Sequence, residues 1–549
     1  MTTAILHPPA LPTHELVITE PADLRGRRLP IGRAPVEIGR EAPLAIDSET
    51  ISRRHARVWL AGRTVWITDC GSTNGTWLGG SRITRPAPLA AGQRVLLGDV
   101  EAVLEVRAVT AGRPEDAGAP QVTDTTRYLC AASYEDETFA RTVIDETLRH
   151  PCRAVAPSYG VDLPAVARHA LAAQRLRRLR DLLLLVITVG AAGSAVAYRV
   201  ARRGQVWPIR VEQLLTTRAL QAAVLVLLLM WLVVAAHRFH VRVVILGRRM
   251  SAARFRPDKA PEARRTAIRR RLSRLAQGQD ANVAVFHDRT PFVGSGHCRG
   301  TWSFAVDVAH QDRPPGHVHA DDVLAYLAEE IASTGLPDLR LSERLYVSGL
   351  DVARSARLLP GRFAPPVTTV DPAYVRAVCR TPGSSARTYL AVEVLGWDGQ
   401  LAVNVFIRVV RLPGSFFLEG ATFVLPPLKA EYLALDHVRP GVVTGLLTSS
   451  AAAAVMTLPL LVAVPFRLIG SGYRAMAAYR EERRTHAAIR AGALYDYGAR
   501  ASIREIAMDD RYRRFFMARD ADMVGSVVHE AVFTGLRTLF DGYDIAPSG

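Results

Sequence analysis

The chain has 549 residues, of which 49% are hydrophobic and 22% charged. That balance excludes wholesale disorder and leaves room for several domains of about 100–200 residues each. The formal net charge is +17, yet of the 69 basic residues only Lys259 and Lys429 are lysines, so arginine abundance alone is no evidence of phosphate or nucleic-acid recognition. Five cysteines (Cys70, Cys130, Cys152, Cys298, Cys379) stand far apart. Their spacing excludes a disulfide framework and a Cys-rich zinc site and suits a reducing compartment.

Residues 1–13 read as a flexible start without the basic and apolar regions of a secretory signal, so the first domain is expected in the cytoplasm. From 14 to 108 the pattern is of short strands cut by turns. Glu15–Ile18, Val36–Ile38, His55–Trp59, Thr64–Thr68, Arg94–Leu97 and Ala102–Val106 are rich in β-branched and aromatic residues, with Gly, Asn or Pro between them. Regular strands with turn punctuation predict an all-β sandwich. Residues 109–180 read as a linker followed by juxtamembrane helices, the last of them Leu163–Arg180.

Residues 181–247 read as a transmembrane helical hairpin. Leu182–Tyr198 and Ala219–His237 are uncharged for 17 and 19 residues. At about 1.5 Å per residue they span roughly 26 and 28 Å, against a hydrocarbon core of about 30 Å. Five arginines precede the first run, five lie in the loop between the runs and six follow the second, which places both outer ends in the cytoplasm. Residues 248–279 form a basic juxtamembrane helix suited to anionic lipid head groups, and without interleaved aromatics they do not suggest nucleic-acid binding. Residues 280–436 read as a cytoplasmic α+β domain, with strands at Asn282–Phe286, Trp302–Val308, Tyr389–Val394 and Leu401–Val410 and a helix at Ala320–Ser333. Within 437–471, the uncharged run Val442–Phe466 contains Pro459 and Pro465 and reads as an interfacial, re-entrant or protein-buried segment. Residues 472–549 read as a helical C-terminal region, with helices at Tyr473–Arg490 and Asp522–Phe540.

Four pieces of the first domain stand in register: Ile38-Gly39-Arg40, Ile51-Ser52-Arg53-Arg54-His55, Asp69-Cys-Gly-Ser72-Thr73-Asn74-Gly75-Thr-Trp, and Leu89–Gly98. Together they resemble the forkhead-associated (FHA) family of β-sandwiches that bind phosphothreonine peptides. Such a ligand carries roughly −1.5 to −2 charges and three acceptor oxygens, which a guanidinium fork, a hydroxyl and backbone N–H groups can hold. The resemblance implies that Arg40 and Ser52 contact the phosphate and that Asn74 bonds the peptide backbone. It puts Arg53, Ser72 and Thr73 in the surrounding loops, with Gly39, His55 and Gly75 as architectural positions. The expected partner is a threonine-phosphorylated protein, either a Ser/Thr kinase or its substrate, beside membrane lipids.

Thr123, Thr125 and Thr126 follow the sandwich and are candidate phosphoacceptors for capture by the chain's own FHA domain, against an ordinary helix start. Gly294-Ser-Gly296 lacks the spacing of a phosphate loop and reads as a tight turn. No catalytic constellation, metal set or cofactor motif is found. Outside the sandwich, phrases such as Arg127-Tyr-Leu-Cys-Ala-Ala and Pro291-Phe-Val-Gly-Ser-Gly resemble membrane proteins of actinobacteria, a likeness that carries no activity. The sequence thus predicts a multi-pass membrane-anchored phosphopeptide-binding protein with both terminal domains cytoplasmic. An FHA-regulated membrane enzyme and a transporter or channel component are the alternatives.

Overall fold

Alternation of inward and outward residues builds the first domain. In the computed structural model, which describes residues 13–31, 35–61, 64–90, 92–107, 124–203, 217–278, 281–287, 289–307, 319–437, 441–512 and 514–542, eleven strands open the chain. These are β1 (Thr13–Glu20), β2 (Arg28–Ile31), β3 (Val36–Gly39), β4 (Leu44–Ala45), β5 (Ala56–Ala61), β6 (Thr64–Asp69), β7 (Thr76–Leu78), β8 (Ser81–Arg82), β9 (Ala87–Leu89), β10 (Arg94–Leu97) and β11 (Val100–Arg107). They form two sheets, β2-β1-β11-β10-β7-β8 and β4-β3-β5-β6-β9. Leu16, Ile18, Ile38, Val58, Ile67, Val95, Leu97 and Leu104 fill the space between them. The loops joining β3 to β4, β4 to β5 and β6 to β7 carry the predicted motif residues.

The sheet of the second domain contains β12 (Val283–Phe286), β13 (His297–Asp307), β14 (Leu339–Ser348), β15 (Ala386–Gly396), β16 (Leu401–Leu412) and β17 (Ser415–Leu425), in the order β12-β14-β15-β16-β17-β13. Only the β12–β14 pair is parallel. The helices are α1 (Asp124–Glu135), α2 (Glu137–Ile144), α3 (Leu163–Arg203), α4 (Thr217–Phe239), α5 (Thr266–Gln277), α6 (Ala320–Ser333), α7 (Pro372–Cys379), α8 (Ala430–Leu433), α9 (Val442–Arg490), α10 (Ile503–Ile506) and α11 (Phe515–Gly542). One face of the second domain's sheet is covered by α6 and α11, through Val323, Leu327, Val528, Val532 and Leu536. The last helix therefore belongs with this sheet rather than to a separate C-terminal region, because its apolar stripe packs on β15, β16, β17 and β13. On the opposite face Phe292 stacks on Phe406 at 4.1 Å between ring centres, among Tyr346, Tyr389 and Phe423.

The apolar runs differ from the predicted hairpin in two ways. The segment Leu163–Arg180 and the first run are one 41-residue helix, α3. The third run is not a short segment buried in protein: it is the first half of the 49-residue α9, continuous through Pro459 and Pro465. Among the described residues three helices, not two, are long and apolar enough to cross a membrane. They pack through Leu184, Met230, Val234, Ala453, Leu460 and Val464, while Val186, Val189, Leu228, Leu232, Val455, Val462 and Phe466 face outward. Tyr432 of α8 and Arg467 of α9 both reach the start of α2: Tyr432 Oη donates to Oδ2 of its N-cap Asp136 at 2.9 Å, and Arg467 pairs with Glu137. Arg467 also lies 3.3 Å from Asp181, at the foot of the α3 apolar run.

The predicted phosphoacceptors fare differently from one another. Thr125 and Thr126 are buried in the first turn of α1, and Thr126 Oγ1 accepts from the Asp162 N–H at 2.9 Å. A kinase has no access to them in this fold, which corrects the self-capture reading for both. Thr123 and the 109–122 linker lie outside the described residues.

Candidate functional site

Three loops meet at one end of the amino-terminal sandwich because backbone bonds tie them together. The Arg40 N–H donates to Ser52 O and the Glu41 N–H to Arg53 O, both at 3.1 Å. A Cβ on Gly39 would sit 2.2 Å from Arg53 O, so only glycine lets the two segments approach this closely. His55 is fully buried beneath them: its Nδ1 accepts from the Ser52 N–H at 3.1 Å. That assigns the ring proton to Nε2, which donates to Gly75 O at 3.2 Å. Burial pushes the His55 pKa below its ordinary value.

The third loop is organised by a residue that the sequence reading did not single out. Asp69 accepts from the Gly71 N–H at 3.0 Å, the Ser72 N–H at 3.1 Å and the Thr76 hydroxyl at 2.8 Å, and from the Ser72 hydroxyl as well. Burial works to raise the Asp69 pKa, but these bonds outweigh it and hold the carboxyl below its usual range. An aspartate two residues before Gly71 and three before Ser72 is the signal of such a side-chain-capped turn. Ser72 stands in this loop, as the resemblance implies, but it is buried with its hydroxyl spent on Asp69, so it braces the loop.

The remaining motif residues converge at the rim. Ser52 Oγ accepts from the Thr73 N–H at 3.0 Å, which leaves its own O–H available, at present 3.4 Å from Thr73 Oγ1. Asn74 Nδ2 donates to Thr50 O at 2.7 Å, and Trp77 Nε1 donates to Asn74 O at 3.1 Å. Gly75 has φ +79°, and a Cβ there would meet Arg82 Nε at 2.5 Å. Arg82, likewise not anticipated, reaches under the loop to Ser72 O at 3.1 Å. Arg40 and Arg53 are exposed, and neither guanidinium bonds another described residue. Arg54, by contrast, is engaged by Glu37. The geometry therefore presents two uncommitted guanidinium groups, one hydroxyl donor and a backbone turn on a rigid end of the sandwich.

The second domain holds a different anion contact. The Gly294 and Gly296 N–H groups donate to the two carboxylate oxygens of Glu505, each at 3.0 Å. This glycine turn is filled by the chain's own side chain.

Residues 30–98 match the FHA domain and residues 301–547 match the AbeC-like domain. The chain is 38% identical over 95 residues to the FHA domain-containing protein FhaB of Mycolicibacterium smegmatis, covering 17% of this chain and 59% of the relative. It is 38% identical over 85 residues to FhaB of Mycobacterium tuberculosis (strain ATCC 25618 / H37Rv), covering 15% and 54%. The chain thus spans little more than half the length of these curated relatives. Among solved structures, the FHA domain of CT664 protein from Chlamydia trachomatis is 27% identical, with 18% of this chain and 99% of that chain covered and a TM-score of 0.16. Mycobacterium tuberculosis EmbR in complex with a low affinity phosphopeptide is 28% identical, with 18% and 26% covered and a TM-score of 0.17. The amino-terminal sandwich is an FHA domain, and the chain is an FHA-domain protein that also carries an AbeC-like domain.

Proposed function

We propose that the chain is a membrane-anchored signalling or scaffold protein whose FHA domain binds threonine-phosphorylated partners, a Ser/Thr kinase or its substrate, at the cytoplasmic face. The observation that carries this reading is Ser52: its oxygen is already loaded by the Thr73 N–H, and its O–H, which makes only a long 3.4 Å bond to Thr73 Oγ1, can turn to a phosphate oxygen beside the exposed Arg40. Arg40 then supplies a charge-assisted fork, Arg53 and the Thr73 loop flank it, and Asn74 holds the peptide backbone. His55, Gly39 and Gly75 keep the three loops in place. The three apolar helices, each long and apolar enough to cross a bilayer, support anchoring.

Charge-assisted hydrogen bonds contribute about 1.5–3 kcal/mol each. In a calorimetric titration of the full chain with phosphothreonine peptides, Arg40→Ala is expected to weaken binding by roughly tenfold to a hundredfold. Unphosphorylated peptide is expected not to bind. Equal affinity of the variant and the wild type removes the assignment of Arg40, and equal affinity for both peptides removes the function.

A further inference from the structure

The first turn of α11 carries two large rings into solvent. Phe515 is 65% exposed and Phe516 71%, and their ring centres lie 5.7 Å apart. Trp397, 45% exposed, stands at the tip of the turn between β15 and β16 and is pinned to the same helix by its Nε1, which donates to Asp520 Oδ2 at 2.9 Å. Exposed arginines border the rings: Arg511, Arg514, and Arg519, whose guanidinium carbon is 5.3 Å from the Phe515 ring centre. The nearby acids are engaged within the domain. Asp509 accepts from the Arg511 N–H, Asp520 takes Trp397, Asp522 lies 3.9 Å from Arg519, and Asp510 lies 3.5 Å from His297. Arg511 and Arg514 are exposed in the segment that leads into the two rings.

The position of this patch matters as much as its composition. Residues 507–509 run beside residues 427–429, with the Lys429 N–H donating to Ala507 O at 3.0 Å and the Asp509 N–H to Pro427 O at 2.8 Å. From there the chain passes through α8, where Tyr432 reaches Asp136, and enters α9. Arg467, at the end of the α9 apolar run, pairs with Glu137 beside Asp136. The rings thus stand at the end of the second domain's sheet that feeds the apolar bundle, while the turn after Leu412 lies at the other end. Trp and Phe rings mixed with arginines are the composition of surfaces that seat in a bilayer interface, rings among the upper acyl chains and guanidinium groups on phosphates.

We infer that Trp397, Phe515 and Phe516, with Arg511 and Arg514, insert into the phospholipid headgroup layer of the bilayer that holds α3, α4 and α9, clamping the AbeC-like domain flat against the membrane. The inference rests on the membrane reading of those three helices, and its test separates the two. The full chain is reconstituted into bilayers of phosphatidylglycerol and phosphatidylcholine, with Cys70, Cys298 and Cys379 changed to Ser. A spin label is placed in turn at Phe516→Cys, Leu228→Cys on α4 and Leu412→Cys at the far turn. Accessibility to oxygen and to a water-soluble nickel chelate is then measured at each. The expected result is a deep, oxygen-accessible label at 228, an aqueous one at 412, and at 516 loss of nickel access with oxygen access retained. Adding Arg511→Glu and Arg514→Glu is expected to restore nickel access at 516. A 516 label as aqueous as that at 412, with 228 deep, overturns the inference and leaves the anchoring intact. A 516 label closed to both reagents reports a protein covering the patch and overturns the lipid assignment. An aqueous label at 228 overturns the membrane reading and this inference with it.

Discussion

His55 couples the charge of one buried ring to the shape of the whole rim. Its Nδ1 must stay unprotonated to accept the Ser52 N–H, and burial lowers its pKa to keep it so. The unfolded chain, with the ordinary value of 6.5, binds the proton first. The stability supplied by neutral His55 is therefore complete above about 6.5 and is lost as pH falls from there towards the depressed folded value. Urea unfolding of the sandwich, followed by pulse proteolysis at pH 7.5 and pH 5.5, is expected to show a loss of stability on acidification. His55→Gln is expected to be less stable at the higher pH and to show a smaller loss. Stability is the better observable here, because the ligand phosphate itself titrates near pH 6 and weakens binding for its own reason.

At the scale of elements, α9 shows how one helix serves two environments. Gly445, Ser449, Ala453 and Thr457 recur every four residues and are buried, so small side chains line its contact with the neighbouring helices. On the opposite face Val455 is 77% exposed. The prolines at 459 and 465 do not end the helix, which continues to Arg490. Overpacking a closed helix contact costs about 1–3 kcal/mol. Ala453→Leu is expected to lower the thermal midpoint of the chain in detergent by several degrees, while Val455→Leu leaves it unchanged. Equal shifts would mean that residue 453 does not face the bundle.

At the scale of the molecule, the FHA domain is joined to the AbeC-like domain by more than its linker. Trp59 and Trp66 are cross-strand partners on β5 and β6, on the face that points away from the sandwich core. They are nevertheless only 4% and 8% exposed, because they belong to the same apolar cluster as Val306, Leu324, Leu327, Val532 and Leu536 of the second domain. Truncating a buried aromatic in a core costs about 3–5 kcal/mol. At this contact the double change Trp59→Ala, Trp66→Ala is expected to release the domain from its seat rather than unfold it. Amide exchange in β13 and α6 should accelerate, with phosphopeptide affinity unchanged because the rim loops are not touched. Unaltered exchange would show that the two rings do not hold the domains together.

How much of this was legible in the sequence follows from the range over which each signal acts. Period-two alternation marked β1, β5, β6, β10 and β11, and four spaced motifs marked the rim, because strand pattern and turn chemistry are written in neighbouring residues. The apolar runs announced themselves by length, and the Ala320–Ser333 helix by its periodicity. Local pattern could not tell that Thr125 and Thr126 are inside, or that Trp59 and Trp66 are covered by the second domain. Each of those outcomes depends on which distant surface packs against the residue. Nor could it show that Tyr432 and Arg467, on either side of a 25-residue apolar run, reach the neighbouring acids Asp136 and Glu137. Chemistry and periodicity are properties of the chain alone, whereas burial and partnership arise only when segments hundreds of residues apart compete for the same space.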